Sequence, residues 1–319
     1  MRPLVIGTRS SDLAHWQAQF VQRALRSVLP DIDSRLANIR TPGDRDRGTP
    51  LHKLGEAGAF TSTLEQALLE KRIDLAVHSL KDLPTRTAEG LVIAAIPVRH
   101  DVADVLVASP RRTLEQLPRG SRVLTSSLRR RALVLRRRPD VRVHNVRGNV
   151  TTRLARLHAG AAEAIVLAGA GLLRLGMEAL ITERLDPTEF LPAPGQGALA
   201  VEIRADDKEL APLMARIDDP LARAAVTAER AMLAALKAGC HAPVGAYGRF
   251  QDDSRVLTLT GAVLSVDGRQ AVYRWDSLDC AGDASAPQTL GDKVAQALIT
   301  GGADEILFAA AAWEKSKKN

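Results

Sequence analysis

One pattern recurs along this chain: a short run of branched aliphatic residues, a polar or glycine-containing turn, then an amphipathic stretch. Leu4-Val5-Ile6-Gly7 reads as a buried strand, and Ser11 then offers an N-cap to a helix whose Leu13, Trp16, Phe20, Ala24 and Val28 repeat at helical spacing. Strand patterns at 35–40, 75–78 and 91–96, with a helical one at 63–71, complete a first set. The polar, punctuated stretch 41–58 between them reads as a mobile loop. Such alternation predicts a mostly parallel sheet with helices on both faces. A second set follows, with strands at 104–108, 122–125, 141–145 and 164–168 and helices at 127–138 and 150–159. Leu191-Pro192-Ala193-Pro194-Gly195-Gln196-Gly197 then reads as a crossover, and 198–203 as a strand returning to the first sheet. A third set begins with a helix at 221–236. Strands at 244–250, 256–266 and 269–277 follow, the last two joined by an Asp267-Gly268 hairpin, and two helices close the chain at 287–318. The expected fold is α/β: two doubly wound lobes, 1–98 with 198–216 and 103–191, plus a smaller α+β domain over 220–319 with an antiparallel three-stranded sheet.

Charge is unevenly placed. The stretch from Arg99 to Arg156 holds fifteen arginines, no lysine and four acids, a balance of +11 against +7 for the whole chain, which leaves the rest at −4. Guanidinium groups suit a fixed, bidentate grip on carboxylate or phosphate, so this middle region is built to hold anions. Aromatics make up only 3% of the chain, too few for base stacking as a general binding strategy, which argues against nucleic acid. No apolar run reaches the ~18 residues of a membrane span, and the apolar start is too short for a signal peptide. Two cysteines cannot build a disulfide framework, so a reducing cytoplasm is expected.

Several turns carry candidate chemistry. Cys240, held between Gly239 and His241 in Ala238-Gly239-Cys240-His241-Ala242-Pro243, is a candidate nucleophile or covalent anchor. Lys81 and Asp82 follow the buried strand pattern Ala76-Val77-His78, at the strand end where open α/β sheets bind ligands. Thr125-Ser126-Ser127-Leu128-Arg129-Arg130 passes from strand to helix, and hydroxyls with arginines at a helix start make an anion seat. Arg147-Gly148-Asn149-Val150-Thr151-Thr152-Arg153 repeats that arrangement. Ala168-Gly169-Ala170-Gly171 fails as a dinucleotide loop because Arg174 occupies the position a glycine needs, and Arg174 reads as a further anion contact. No zinc spacing or metalloprotease motif is present, so no metal is expected.

Taken in order, these segments resemble the porphobilinogen deaminase family: Thr8-Arg9-Ser10-Ser11-Asp12-Leu13-Ala14, Ala76 to Pro84, Thr125 to Arg130, Arg147 to Leu154, Leu191 to Ala198, and Glu229-Arg230-Ala231-Met232 before Gly239-Cys240. The resemblance implies a cytoplasmic, monomeric transferase that condenses four porphobilinogen molecules head to tail with release of ammonia. It also implies a dipyrromethane cofactor joined by a thioether to Cys240, and lobes similar to those of two-lobed periplasmic solute-binding proteins. A growing chain of up to six rings would bring about twelve carboxylates, a load that clustered guanidinium groups suit. By the same resemblance Asp82 steadies the azafulvene cation left by ammonia. Lys81, Asp82, Thr125, Ser127, Arg129, Arg130, Arg147 and Gly148 match cofactor-binding positions. Arg9, Ser11, Arg99, Arg147, Arg153 and Arg174 match substrate-binding ones. The chain departs from the family's commoner pattern at Pro42, at Ala57-Gly58-Ala59-Phe60 and at Val102-Ala103. A binding protein without catalysis and a nucleic-acid binder are the rival readings. Cys240 on a third domain weighs against the first, and scarce aromatics weigh against the second.

Overall fold

The computed structural model describes residues 3–39, 62–239, 241–251 and 255–316. The loop expected over 41–58, with Pro42 and Ala57 to Phe60, and Cys240 itself lie outside the described residues. The chain falls into two compact units, Met1–His100 with Gly197–Arg223, and Asp101–Gln196 with Ala224–Asn319.

In the first unit, β1 (Leu4–Thr8), β2 (Ser34–Asn38), β3 (Leu75–Ser79), β4 (Leu91–Ala95) and the returning β10 (Leu199–Arg204) form a sheet of order β2-β1-β3-β10-β4, and the short α6 (Leu210–Ala215) follows β10. Helix α1 (Asp12–Val28) buries Val21 and Leu25 with Leu75 and Val77 on one face. Helix α2 (Ser62–Leu69) buries Leu64 and Leu68 with Val5 and Ala76 on the other. Strand alternation sets this division, because neighbouring side chains of β3 point to opposite faces.

The second unit repeats the plan. Strands β5 (Asp104–Ala108), β6 (Arg122–Leu124), β7 (Arg142–His144), β8 (Ala164–Ala168) and β9 (Glu183–Arg184) form a sheet of order β7-β6-β8-β5-β9. Helix α3 (Leu128–Arg137) covers one face through Ala132 and Leu133. Helix α4 (Val150–His158) covers the other through Leu154 and Leu157. The short α5 (Gly169–Arg174) follows β8.

The sheets are mostly parallel, as expected, and each contains one reversed strand. β10 runs antiparallel to β3 and β4, and β5 antiparallel to β8 and β9. Each reversed strand follows a crossover, so the chain enters at the carboxyl edge of the other strands: Leu199 pairs with Ser79, and Asp104 with Ala168. That edge is where both candidate turns lie.

The antiparallel sheet β11 (Val244–Phe250), β12 (Val256–Leu264), β13 (Ala271–Asp279) belongs to the second unit. One side of β12 packs Leu257, Leu259 and Val263 with Met232 of α7 (Pro220–Ala235) and with Leu290, Val294 and Leu298 of α8 (Ala286–Thr300). Its other side places Ala262 and Leu264 in one buried cluster with Leu106 and Ala132, which joins the sheet to the lobe before it. The hairpin Gly268, at φ +75°, lies flat on α3: a Cβ there would sit 2.5 Å from Ala132 O. Helix α9 (Ala303–Ser316) ends the described chain. Among the described residues no single helix is long and apolar enough to cross a membrane.

Candidate active site

In the first unit, β1 and β3 are parallel neighbours, with Gly7 opposite Ala76, so their carboxyl ends lie side by side. After β1, Thr8 Oγ1 donates to Ala14 O at 2.9 Å and Ser11 Oγ accepts from Ala14 N at 3.3 Å. These two contacts fix the start of α1 and leave Arg9 half-buried in the turn between. After β3, the chain closes a 3-10 turn over Leu80–Asp82, with Leu83 N donating to Leu80 O at 3.2 Å. Leu80 is fully buried and its N–H donates to Ala198 O at 3.1 Å. With Leu80 anchored inward, Lys81 is half-buried and Asp82 is exposed. Arg9, Ser11, Lys81 and Asp82 therefore share one sheet edge. Arg99 stands half-buried in the first crossover, next to His100, whose N–H donates to Gly197 O at 3.2 Å.

In the second unit β6 and β7 are parallel neighbours, and the turns after them are likewise adjacent. Thr125 is buried, its Oγ1 accepting from Ser127 N at 3.2 Å, and Ser127 Oγ caps α3 by accepting from Arg130 N at 3.4 Å. Ser126 Oγ donates to Val146 O and ties the two turns together. In the second turn Gly148 takes φ +110°, and a Cβ there would lie 2.7 Å from Thr152 Cγ2. Asn149 caps α4, its Oδ1 accepting from Thr152 N at 2.8 Å, and Arg153 Nε donates to Gly148 O at 2.7 Å. Arg147 is exposed and Arg153 half-buried. Arg174, the last residue of α5, is buried, and burial pulls its pKa down to about 10.

Arg129 and Arg130 turn inward. They are 3% and 7% exposed, against Asp104, which is fully buried. Arg129 Nη1 donates to Asp104 Oδ2 and to Leu191 O, both at 2.6 Å. Arg130 Nε donates to Asp104 Oδ1 at 2.9 Å and its Nη2 to Gln196 Oε1 at 3.4 Å. Gln196 Nε2 donates to Asp104 Oδ1 at 2.9 Å and to Val102 O at 2.8 Å. Burial alone would push the Asp104 carboxyl up, but the two guanidiniums outweigh it and hold the group well below the usual carboxylate range. Burial pulls Arg129 down, an effect that Asp104 offsets in part. Two cations to one acid leave this helix start net positive, and Arg129 Nε is buried with no hydrogen-bond partner among the described residues.

Sequence reasoning passed over Asp104, Gln196 and Glu229 as working residues. The signal for Asp104 was a lone acid opening an otherwise apolar strand. Glu229, fully buried on α7, accepts from Gly195 N at 2.7 Å and from Gly248 N at 2.8 Å, joining the second crossover to β11, the strand that follows Cys240. The unusual Val102-Ala103 pair serves through its backbone: Val102 O takes the Gln196 amide, and Ala103 O accepts from Gly169 N at 2.9 Å. His241 is exposed. No group of three or more histidine, cysteine or acidic side chains that could hold a metal is found among the described residues.

Residues 4–212 match the porphobilinogen deaminase, dipyromethane cofactor binding domain, and residues 223–300 match the porphobilinogen deaminase C-terminal domain. A porphobilinogen deaminase of Desulforudis audaxviator is 48% identical over 306 residues, covering 96% of this chain and 97% of its own. One of Moorella thermoacetica is 46% identical over 307 residues, covering 96% of each. The crystal structure of the Bordetella pertussis BvgS VFT2 domain aligns at a TM-score of 0.42 and 16% identity over 67% of this chain and 85% of that one, too distant a likeness to bear on the argument. With matches that run from its fourth residue to its three-hundredth, and relatives near half identical along almost its whole length, the chain belongs to the porphobilinogen deaminase family.

Proposed function

We propose that this protein is a transferase that joins four porphobilinogen molecules head to tail into linear hydroxymethylbilane, releasing one ammonia per ring and taking up one water as the finished tetrapyrrole is freed, in tetrapyrrole biosynthesis. The observation that carries the reading is the exposed turn at the end of β3. A buried strand and a buried Leu80 there present Lys81 and Asp82 beside Arg9 and Ser11.

Departure of ammonia leaves positive charge on the substrate ring. A carboxylate held beside that charge lowers the barrier without rearranging at the moment of reaction, which is the role assigned to Asp82. Asp82 also moves the proton that the attacking pyrrole carbon gives up as the new carbon–carbon bond forms. Lys81 and Arg9, with Ser11, Arg99, Arg147, Arg153 and Arg174, hold the acetate and propionate groups of porphobilinogen and of the growing polypyrrole.

Cys240 would hold dipyrromethane through a thioether, and the cofactor would supply the terminal pyrrole carbon from which the chain is extended. The donor set fits such a polycarboxylate. Arg129 and Arg130 both pair with Asp104, and Arg129 Nε has no hydrogen-bond partner among the described residues. Thr125, Ser127, Arg147 and Gly148 in the second unit, and Lys81 and Asp82 in the first, are each assigned to cofactor binding. We further assign three domains, 1–98 with 198–216, 103–191 and 220–319. The protein is taken to work as a cytoplasmic monomer, without membrane or nucleic acid.

The test is incubation with porphobilinogen and assay of both products. Four ammonia per tetrapyrrole is expected; binding of porphobilinogen without ammonia release would favour the binding-protein reading.

A further inference from the structure

The last two side chains of β3 point to opposite faces of the sheet. Ser79 faces α1, where Gln17 Nε2 donates to its hydroxyl at 2.8 Å. His78 faces the other way, on the side of Ala76 and α2, and its Nε2 lies 3.2 Å from Oε2 of Glu202 on β10. Register explains the meeting. Glu202 stands opposite Ala76 and Ala200 opposite His78, so the two long side chains are diagonal neighbours on one face. Both are buried, at 5% and 1% side-chain exposure, and the two atoms stand in close contact without meeting hydrogen-bond geometry, to each other or to any other described residue. Arg204, two residues further along that face, does not join them. Its guanidinium donates to Leu68 O, Ile73 O and Asp207.

A buried ionisable pair is a weak source of stability, since the loss of hydration offsets the attraction, and apolar side chains of like volume often do better. The chemistry assigned to Asp82 makes no use of this pair either. What the pair does have is position, four residues before Asp82 on the strand that presents it.

We propose that His78 and Glu202 are positioning residues, clamping the carboxyl end of β3 to β10 and so fixing the Lys81 and Asp82 turn. The inference rests on the catalytic reading of Asp82 given above. The strand end and its turn are also held by the ladder to β10, which pairs Ser79 with Leu199 and His78 with Ala200, by Leu80 N on Ala198 O and Leu83 N on Leu80 O, and by the Gln17 contact on the opposite face. The ladder fixes the backbone, and Gln17 on one face and Glu202 on the other restrain the last side chains of the strand. Release of either contact loosens the strand end, and a displacement of about 1 Å at a reacting group is enough to slow turnover severely.

The deciding variant is the double replacement His78→Leu with Glu202→Leu, which exchanges the polar pair for an apolar one. Its melting temperature is expected to hold or rise while kcat falls about tenfold or more and KM for porphobilinogen stays within about twofold. Glu202→Gln, which keeps an acceptor at the same reach, is expected to retain most of the wild-type kcat. A folded double variant with wild-type kcat would overturn the proposal. Should that variant not fold, the backbone amide shifts of residues 80–83 decide in Glu202→Ala: movement confined to the turn supports the clamp, and unmoved shifts contradict it. Failure of the Asp82 reading has a different signature, because Asp82→Asn would then turn over normally while these shifts still respond.

Discussion

The turn after β3 and the turn after β6 both follow a buried strand at the carboxyl edge of its sheet, and both carry charged residues, yet they use charge in opposite ways. In the first, Leu80 takes the buried position and leaves Lys81 half-buried and Asp82 exposed. In the second, Arg129 and Arg130 go inward onto Asp104, and the exposed position falls to Ser126. The net charge of a segment therefore says little about how much of it can reach a ligand. Of the positive charge in the arginine-rich stretch, part holds the lobe together: Arg138 grips Asp140 and the carbonyls of Leu114 and Leu117, and Arg122 pairs with Glu163.

Removing the acid from the buried cluster should have the largest effect. Asp104→Ala leaves two buried guanidiniums without a counter-charge, and is expected to destabilise the second unit by about 3–5 kcal/mol, read from chemical denaturation. Loss of under about 1 kcal/mol would mean that the pair finds solvent or another partner. In the exposed turn the expectation reverses. Asp82→Asn should unfold within about 0.5 kcal/mol of wild type, as surface substitutions do, yet lose at least about a hundredfold in kcat. Near-normal turnover would remove Asp82 from the mechanism.

Acid should separate the two regions as well. Because the folded Asp104 carboxyl is held below its usual range, its contribution to stability is complete above the ordinary value of about 4. That contribution is lost as pH falls through the folded value. Stability of the wild type should thus fall with pH below about 4 more steeply than that of Asp104→Asn, with parallel curves as the contrary result. The smallest effect is expected at Arg174, whose charge burial disfavours. Arg174→Met should leave the melting temperature within a few degrees of wild type, about 1 kcal/mol, while KM for porphobilinogen increases. An unchanged KM would remove Arg174 from substrate binding.

Much of the fold was legible because its signals are local. The helical spacing of Leu13, Trp16 and Phe20, the caps at Ser11 and Ser127 and the Asp267-Gly268 hairpin all appear where periodicity and turn chemistry put them. The reversed direction of β5 and β10 was not legible, since a strand reads the same whichever way it runs. Nor was the fusion of the last sheet with the second lobe, which depends on Ala262 and Leu264 meeting Ala132. At the site, the resemblance singled out Asp82, Lys81 and the arginines. The partners of those arginines come from segments 62 and 66 residues away in sequence or on another strand: Leu191 O, Gln196 and Asp104. No spacing rule reaches that far.

Both regions matter only if a chain of pyrroles is tethered to this protein. Intact mass of the purified, denatured protein addresses that tether directly. The account predicts an adduct of two pyrrole units on the wild type and its absence in Cys240→Ala. An active wild type weighing no more than its bare sequence would contradict it.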